Sequence, residues 1–476
     1  MKLLIYLLLS ISISALSAQS EWLLELERVH KDYQVDGFEE RRFKHEHVMA
    51  VLEKLPATFT VVEEGQSVEG RGIYSVRIGN GSMRVLLWSQ MHGDEATATA
   101  ALMDIFHFFS VSGDRFDAFR QKILSQLTLV FIPMLNPDGA AAFQRRNAWG
   151  IDINRDALRL TSPEARILKR VRDDWDAQWG FNLHDQSRFY GAGRDNPEVA
   201  TLSFLAPAYN EAKSINPVRE RAIQLIAQLN QQLQSLIPNG IARYNDTFEP
   251  RAFGDNMQLW GTSTILIESG GYLEDREKQT IRKLNFATLL AAFHSIANQS
   301  YRSFALTDYQ KIPFNKSDAY HDLLLREVRF LPEDGEPYLV DIAFRGEERS
   351  YRDSRAFYLL GSISDVGDLT YVKGYEELPP SRYTAEVGAV YPRVFTDIDA
   401  VREVDAMALL REGVAVVMTQ KSSPPWVKAT FPVWVVGAEG LYDKDVLPGQ
   451  NPPLIIRNEA GKVVYAVING RLIMVA

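Results

Sequence analysis

The chain has 476 residues and not one cysteine. That absence excludes disulfides, thiolate metal sites and cysteine nucleophiles together, so any metal must be held by His, Asp or Glu. Histidine itself is scarce, with eight in all. There is no basic excess: 52 Lys and Arg stand against 61 Asp and Glu, a net charge of −9. Without that excess nothing neutralises a phosphate backbone, which argues against a nucleic-acid partner. Tandem repeats and low-complexity segments are missing. Beyond the N-terminus, so is any apolar run long enough to cross a membrane. What the chain does have is 46% hydrophobic residues, ample for a large core, and a length that predicts two or three domains.

The first residues, MKLLIYLLLSISISALSAQS, join one positive charge at Lys2 to an apolar stretch and end in small residues at Ala15, Ser17 and Ala18. This reads as a secretory signal over residues 1–18, cut near Ser17 or Ala18, and implies an exported protein, periplasmic or extracellular. The apolar stretch is short for an anchor spanning about 30 Å of hydrocarbon, so no membrane span is expected after cleavage. Residues 21–55 are charged with helical periodicity and predict a helical lead-in. Strand-like and helix-like segments then alternate. Val85–Trp88, Leu127–Leu135, WGFNLHD and STILIE read as buried strands. ATATAALMDIFHFF, the segment opening at Ser162-Pro163, SINPVRERAIQLIAQLNQQLQSLI and the segment ending in HSIANQ read as helices. The alternation predicts a three-layer α/β/α sandwich around a mixed, mainly parallel sheet, over residues 19–300. From 301 to 476 the pattern changes to short strands with Gly and Pro turns, including hairpin signals at Asn458–Gly461 and Asn469-Gly470. It predicts a separate β-rich domain, with no catalytic set of its own.

In open α/β sheets ligands bind beyond the carboxyl ends of the strands. His92 and Glu95 in WSQMHGDEATAT fall at such an end, as do His184 in FNLHDQ and Glu268 in TILIESGG. A catalytic zinc takes three protein ligands and keeps a position open for water. His92, Glu95 and His184 would make such a set, with Glu268 the natural acceptor of the water's proton. Taken singly each has a plainer reading. The His-x-x-Glu pair could be a surface pair on a first helical turn, His184 a hydrogen-bonded strand histidine, and Glu268 a buried glutamate paired with an arginine.

The middle stretch, IPMLNPDGAAAFQRRNAWGIDINRDA, adds NPDG at 136–139, Arg145-x-Asn147, and Asp152-x-Asn154-Arg155. The order His-x-x-Glu, NPDG, arginine, D-x-N-R, strand histidine, late glutamate resembles the zinc metallocarboxypeptidases, the family of pancreatic carboxypeptidase A and its bacterial relatives. The resemblance covers residues 65–300. It implies one Zn2+ per chain held by His92, Glu95 and His184, with Glu268 as general acid/base and Asp152 orienting the ring of His92. It implies that Asn154 and Arg155 clamp the substrate's terminal carboxylate and that Arg145 polarises the scissile carbonyl. Two more positions follow loosely, Tyr244 as the residue capping the substrate and Asp255 as a selector for a basic side chain. Asp185 and Gln186, after the third ligand, are expected to line the pocket. The family's pancreatic members carry an arginine where this chain has Asp94, which changes the charge on the substrate side. The implied activity is removal of C-terminal residues from peptides or proteins. Peptidoglycan stem peptides are the alternative substrate, and a non-catalytic binding protein on the same fold is the alternative outside enzymology.

Overall fold

A computed structural model describes residues 22–193 and 197–475. The expected signal sequence lies outside them. Among the described residues no helix is long and apolar enough to cross a membrane. The chain divides into two compact units, one ending at Ser317 and the other beginning at Asp318. The change of composition near residue 300 precedes this boundary because Tyr301, Tyr309 and Ile312 are still buried in the core of the first unit.

The first unit opens with a helix over residues 22–33 (α1), followed by α2 (His45–Leu52). The helical lead-in expected over residues 21–55 comprises these two helices. The chain turns between them at Gly37, whose φ of +88° suits a residue without a Cβ. Then come β1 (Thr60–Gln66), β2 (Gly72–Ile78), β3 (Met83–Ser89), α3 (Thr97–Ser110), α4 (Asp117–Gln126), β4 (Leu127–Ile132), α5 (Pro137–Ala142), α6 (Pro163–Trp175) and β5 (Trp179–Asp185). Short strands β6 (Gly191–Ala192), β7 (Glu198–Val199) and β8 (Leu202–Leu205) lead to α7 (Pro217–Leu233), β9 (Ile241–Arg243), α8 (Phe253–Leu259), β10 (Ser263–Ser269) and α9 (Gln279–Asn298). A short α10 (Leu306–Gln310) and β11 (Asn315–Lys316) close the unit.

Eight strands form one sheet in the order β1-β2-β4-β3-β5-β10-β8-β9. Its centre, β4-β3-β5-β10, is parallel. β1, β2 and β8 add antiparallel pairings toward the edges. One core packs the face covered by α1, α2, α3, α4, α7 and α9. A second packs the other face under α6 and α8, around Leu86, Trp88, Phe253 and Met257. This is the expected three-layer α/β/α arrangement. Its parallel strands are buried on both faces, which is why they read as apolar runs and not as alternating patterns. The helices begin where their caps are. The Ser162 hydroxyl accepts from Ala165 N, with Pro163 next, and the Asn216 side chain accepts from Arg219 N, with Pro217 next.

The second unit is β-rich, as expected. Strands β12 (Tyr320–Leu331), β13 (Tyr338–Tyr351), β14 (Ala356–Gly367), β15 (Lys373–Leu378), β16 (Thr384–Val387), β20 (Leu454–Arg457), β21 (Val463–Ile468) and β22 (Arg471–Met474) share one sheet. Asn469 and Gly470 both take positive φ in the β21–β22 turn, as a two-residue hairpin of this twist requires. The sequence pattern did not reveal the separate parallel sheet of β17 (Ala389–Phe395), β18 (Val414–Thr419) and β19 (Trp434–Gly437), whose crossovers carry α11 (Ile398–Arg402), α12 (Ala406–Arg411) and α13 (Pro425–Lys428).

Candidate metal centre

The site forms where β3, β5 and β10 end at their carboxyl edge. β5 and β10 are parallel with His184 opposite Glu268, so the two side chains stand on one face of the sheet. β3 ends at Ser89, and the chain turns through Gln90 (φ +53°) into the loop bearing His92 and Glu95, just before α3. NPDG supports that loop. Asn136 caps α5 by accepting from Gly139 N at 2.9 Å, and its Nδ2 donates to Met91 O at 3.3 Å and Arg145 O at 3.4 Å. One side chain thus ties the loop of His92 to the loop of Arg145. Gly93 and Gly139 meet back to back: a Cβ on Gly93 would lie 1.9 Å from the carbonyl carbon of Gly139. Gly139 needs to be glycine for another reason: a Cβ there would lie 2.4 Å from Nδ2 of the Asn136 side chain that caps its own helix.

His92 Nδ1 is 2.8 Å from one Glu95 oxygen, and His184 Nδ1 is 2.6 Å from the other. The rings of the two histidines are 4.8 Å apart. The far nitrogen of His92, Nε2, meets Asp152 Oδ1 at 3.1 Å, so a proton held there would leave Nδ1 as the donor atom toward an ion. Asp152 is held in turn, accepting from Asn154 N and from Arg145 Nε, each at 3.0 Å. Arg145 Nη1 lies 3.1 Å from His92 Nδ1 and donates to Glu95 Oε1 at 3.3 Å. One donor atom from each of His92, Glu95 and His184 lies within 4.8 Å of the other two. Two imidazole nitrogens and a carboxylate, buried, converging and braced from behind, are a donor set that fits a zinc ion with one position left open.

The electrostatics follow from burial and crowding. Burial alone would raise the Glu95 carboxyl, but the two histidines hold it well below the usual range. Burial alone would depress His92, but Glu95 and Asp152 lift it to about 9. Burial keeps His184 low. Glu268 is pushed well up, first by burial and then by the charge of Glu95. A carboxyl so raised favours its protonated form more than an exposed one does.

The other expected residues occupy distinct positions. Burial, and next the charge of Glu268, raise the Tyr244 hydroxyl, which puts this tyrosine within electrostatic reach of the site; its ring lies 6.2 Å from that of Tyr190. Asn154 Oδ1 accepts from Phe253 N at 3.0 Å, joining the turn at 153–155 to the start of α8. Arg155 is partly exposed, with Nε 3.4 Å from Glu249. Asp255 is buried, accepts from Glu249 N at 3.1 Å and is pushed up to about 7, mainly by burial. Asp185 and Gln186 serve the framework. Asp185 accepts from Thr97 and Lys278, while Gln186 donates to Ala200 O and Ser203. Sequence reasoning passed over Thr97 and Lys278, since neither belongs to a motif.

Residues 45–214 match the sequence model of the zinc carboxypeptidases. This part of the chain is similar to the zinc carboxypeptidases. Among curated proteins it is similar to "Probable carboxypeptidase 2" of Trichophyton verrucosum, 25% identical over 151 residues, covering 31% of this chain and 27% of that one. It is similar also to "Carboxypeptidase 2" of Trichophyton rubrum, 26% identical over 136 residues, covering 28% and 24%. The match thus spans about a quarter of the length of these relatives. Among solved structures, a metallo-carboxypeptidase from Burkholderia cenocepacia has a TM-score of 0.42 at 17% identity, over 54% of this chain and 70% of that one. The carboxypeptidase A of Helicoverpa armigera has a TM-score of 0.43 at 15% identity, over 61% and 81%. The carboxypeptidase match ends before α8 and β10, so Glu268, Asp255 and Tyr244 lie beyond it.

Proposed function

We propose that the protein is an exported zinc carboxypeptidase that removes residues from the C-termini of peptides. The observation that carries this is the convergence of His92 Nδ1, His184 Nδ1 and the Glu95 carboxylate, braced by Asp152 and Arg145, inside a zinc carboxypeptidase domain. A zinc ion in that donor set would lower the pKa of a bound water toward about 7 and polarise the scissile carbonyl.

The chain's own groups do the rest. Glu268 takes the water's proton as the new C–O bond forms and hands it to the leaving amine as the C–N bond breaks. The guanidinium of Arg145 faces the oxygen that becomes negative. Arg155, partly exposed beside Glu249, meets the substrate's terminal carboxylate, for which a planar guanidinium is the better two-point partner. Asn154 keeps Arg155 in register with α8 through its bond to Phe253 N. Tyr244 closes over the bound residue. Export rests on the character of residues 1–18.

The test is zinc content measured beside release of terminal amino acids from a mixed peptide library, for the chain and for Glu268→Gln. About one zinc per chain is expected, with peptides shortened from the C-terminus. The variant should keep its zinc and lose at least about 100-fold in turnover. A folded chain that takes up no zinc, or one that holds zinc and trims no peptide, would overturn the reading.

A further inference from the structure

Lys278 is a buried cation that the mechanism does not use. It sits just before α9 in a left-handed conformation (φ +53°) and is only 7% exposed. Its ammonium donates to three acceptors, Ser269 O at 2.8 Å, Asp185 Oδ2 at 3.2 Å and Gln186 O at 3.4 Å. Ser269 directly follows Glu268, and Asp185 and Gln186 directly follow His184. The same Asp185 oxygen accepts from Thr97 Oγ1 at 2.6 Å, at the first residue of α3 and two residues past Glu95. Asp185 N also reaches Glu95 Oε2, at 3.2 Å.

One ammonium therefore joins the carboxyl ends of β5 and β10. Through Asp185 and Thr97 it also reaches the start of α3. These three ends carry His184, Glu268 and Glu95. Burying a lysine and an aspartate costs several kcal/mol per ion in desolvation, offset only when the geometry is good and the remaining protons find acceptors. Here all three ammonium protons have an acceptor, and each acceptor lies within two residues of His184 or Glu268. The long, flexible lysine stem lets an ammonium from a distant helix start reach between two strand ends.

We infer that Lys278 is a positioning residue, fixing the separation between the metal ligands and the proton-transferring carboxylate of Glu268. The inference rests on the carboxypeptidase reading above. A displacement of about 1 Å between reacting groups is worth up to about 100-fold in rate, while substrate binding through Arg155 lies on other elements.

The test compares wild type with Lys278→Met, Lys278→Arg and the double variant Lys278→Met/Asp185→Asn, which removes both charges and so avoids an unpaired buried carboxylate. Zinc content, melting temperature, kcat and KM are measured for each. The expected result is a roughly 10- to 100-fold fall in kcat for Lys278→Met and for the double variant, with KM within about twofold and zinc still near one per chain, and with partial recovery of kcat in Lys278→Arg. Unchanged kcat in the folded double variant overturns the inference, as does a loss that tracks zinc content or falls equally on Lys278→Arg. If the wild type binds zinc but trims no peptide, the carboxypeptidase reading fails and the inference with it. If the wild type is active and only the variants behave otherwise than stated, the inference fails alone.

Discussion

At Gly93 the site depends on an atom that is missing. With the Gly139 carbonyl carbon 1.9 Å from where a Cβ would stand, Gly93→Ala must push the His92 loop away from the helix that NPDG begins. Overpacking of this kind costs about 1–3 kcal/mol, and here the displaced backbone bears two of the three residues that would hold the metal. The variant is expected to melt lower and to bind zinc at least tenfold more weakly, measured by competition with a chelator. Asp255 supplies a prediction of different character. Its folded pKa, about 7, stands above that of an unfolded aspartate, so the folded chain binds the extra proton between about pH 4 and 7. The stability tied to that proton is fully present below about pH 4 and is lost as pH rises through about 7. Asp255→Asn keeps an oxygen for Glu249 N and never ionises. From pH 5 to pH 8 it should gain about 2–3 kcal/mol on wild type in urea unfolding; parallel pH profiles for the two proteins would refute this.

Among the elements, α1, part of the helical lead-in read from residues 21–55, is packed into the core. Leu23, Leu26 and Val29 are buried, and His30 Nε2 lies 2.8 Å from Asp104 on α3. Asp104, with no exposure, also pairs with Arg282 of α9, and Arg282 donates to the carbonyls of Val35 and Phe38. The N-terminal segment is thus tied to α3 and α9 through one buried carboxylate. Asp104→Ala leaves the guanidinium uncompensated and should cost about 3–5 kcal/mol; adding Arg282→Met should recover part of that, a coupling readable in a double-mutant cycle. Which elements were legible follows from what holds them. β3, β4, β5 and β10 announce themselves as apolar runs, and α6 and α7 carry their own caps. The start of α8 does not. It has no side-chain cap, and Phe253 N is satisfied by Asn154, far away in the chain. No local pattern encodes such a bond. The same holds for Lys278, whose three acceptors lie on other segments, whereas His92, Glu95, His184 and Glu268 could be found because strand ends and motif order mark them.

At the scale of the whole molecule, two units with separate cores should melt as two transitions, and His321 offers a handle on the second. It is buried on β12, with Nδ1 2.7 Å from the Ser364 hydroxyl. Burial, and next the charge of Arg345, depress it to about 4. A histidine whose folded pKa is lowered binds its proton first in the unfolded chain. Its contribution is therefore fully present above about pH 6.5 and is lost as pH falls toward 4, by about 3 kcal/mol in all. Calorimetry from pH 7 to pH 4 should show one transition moving down through this range, and in His321→Gln that transition should depend less on pH while the other keeps its wild-type course. If both transitions shift alike in wild type and variant, the acid sensitivity of the second unit belongs to other groups. The sequence could not have raised this point, because the depression comes from burial and from Arg345 on the neighbouring strand β13, a pairing set by the register of β12 against β13 and not by local pattern.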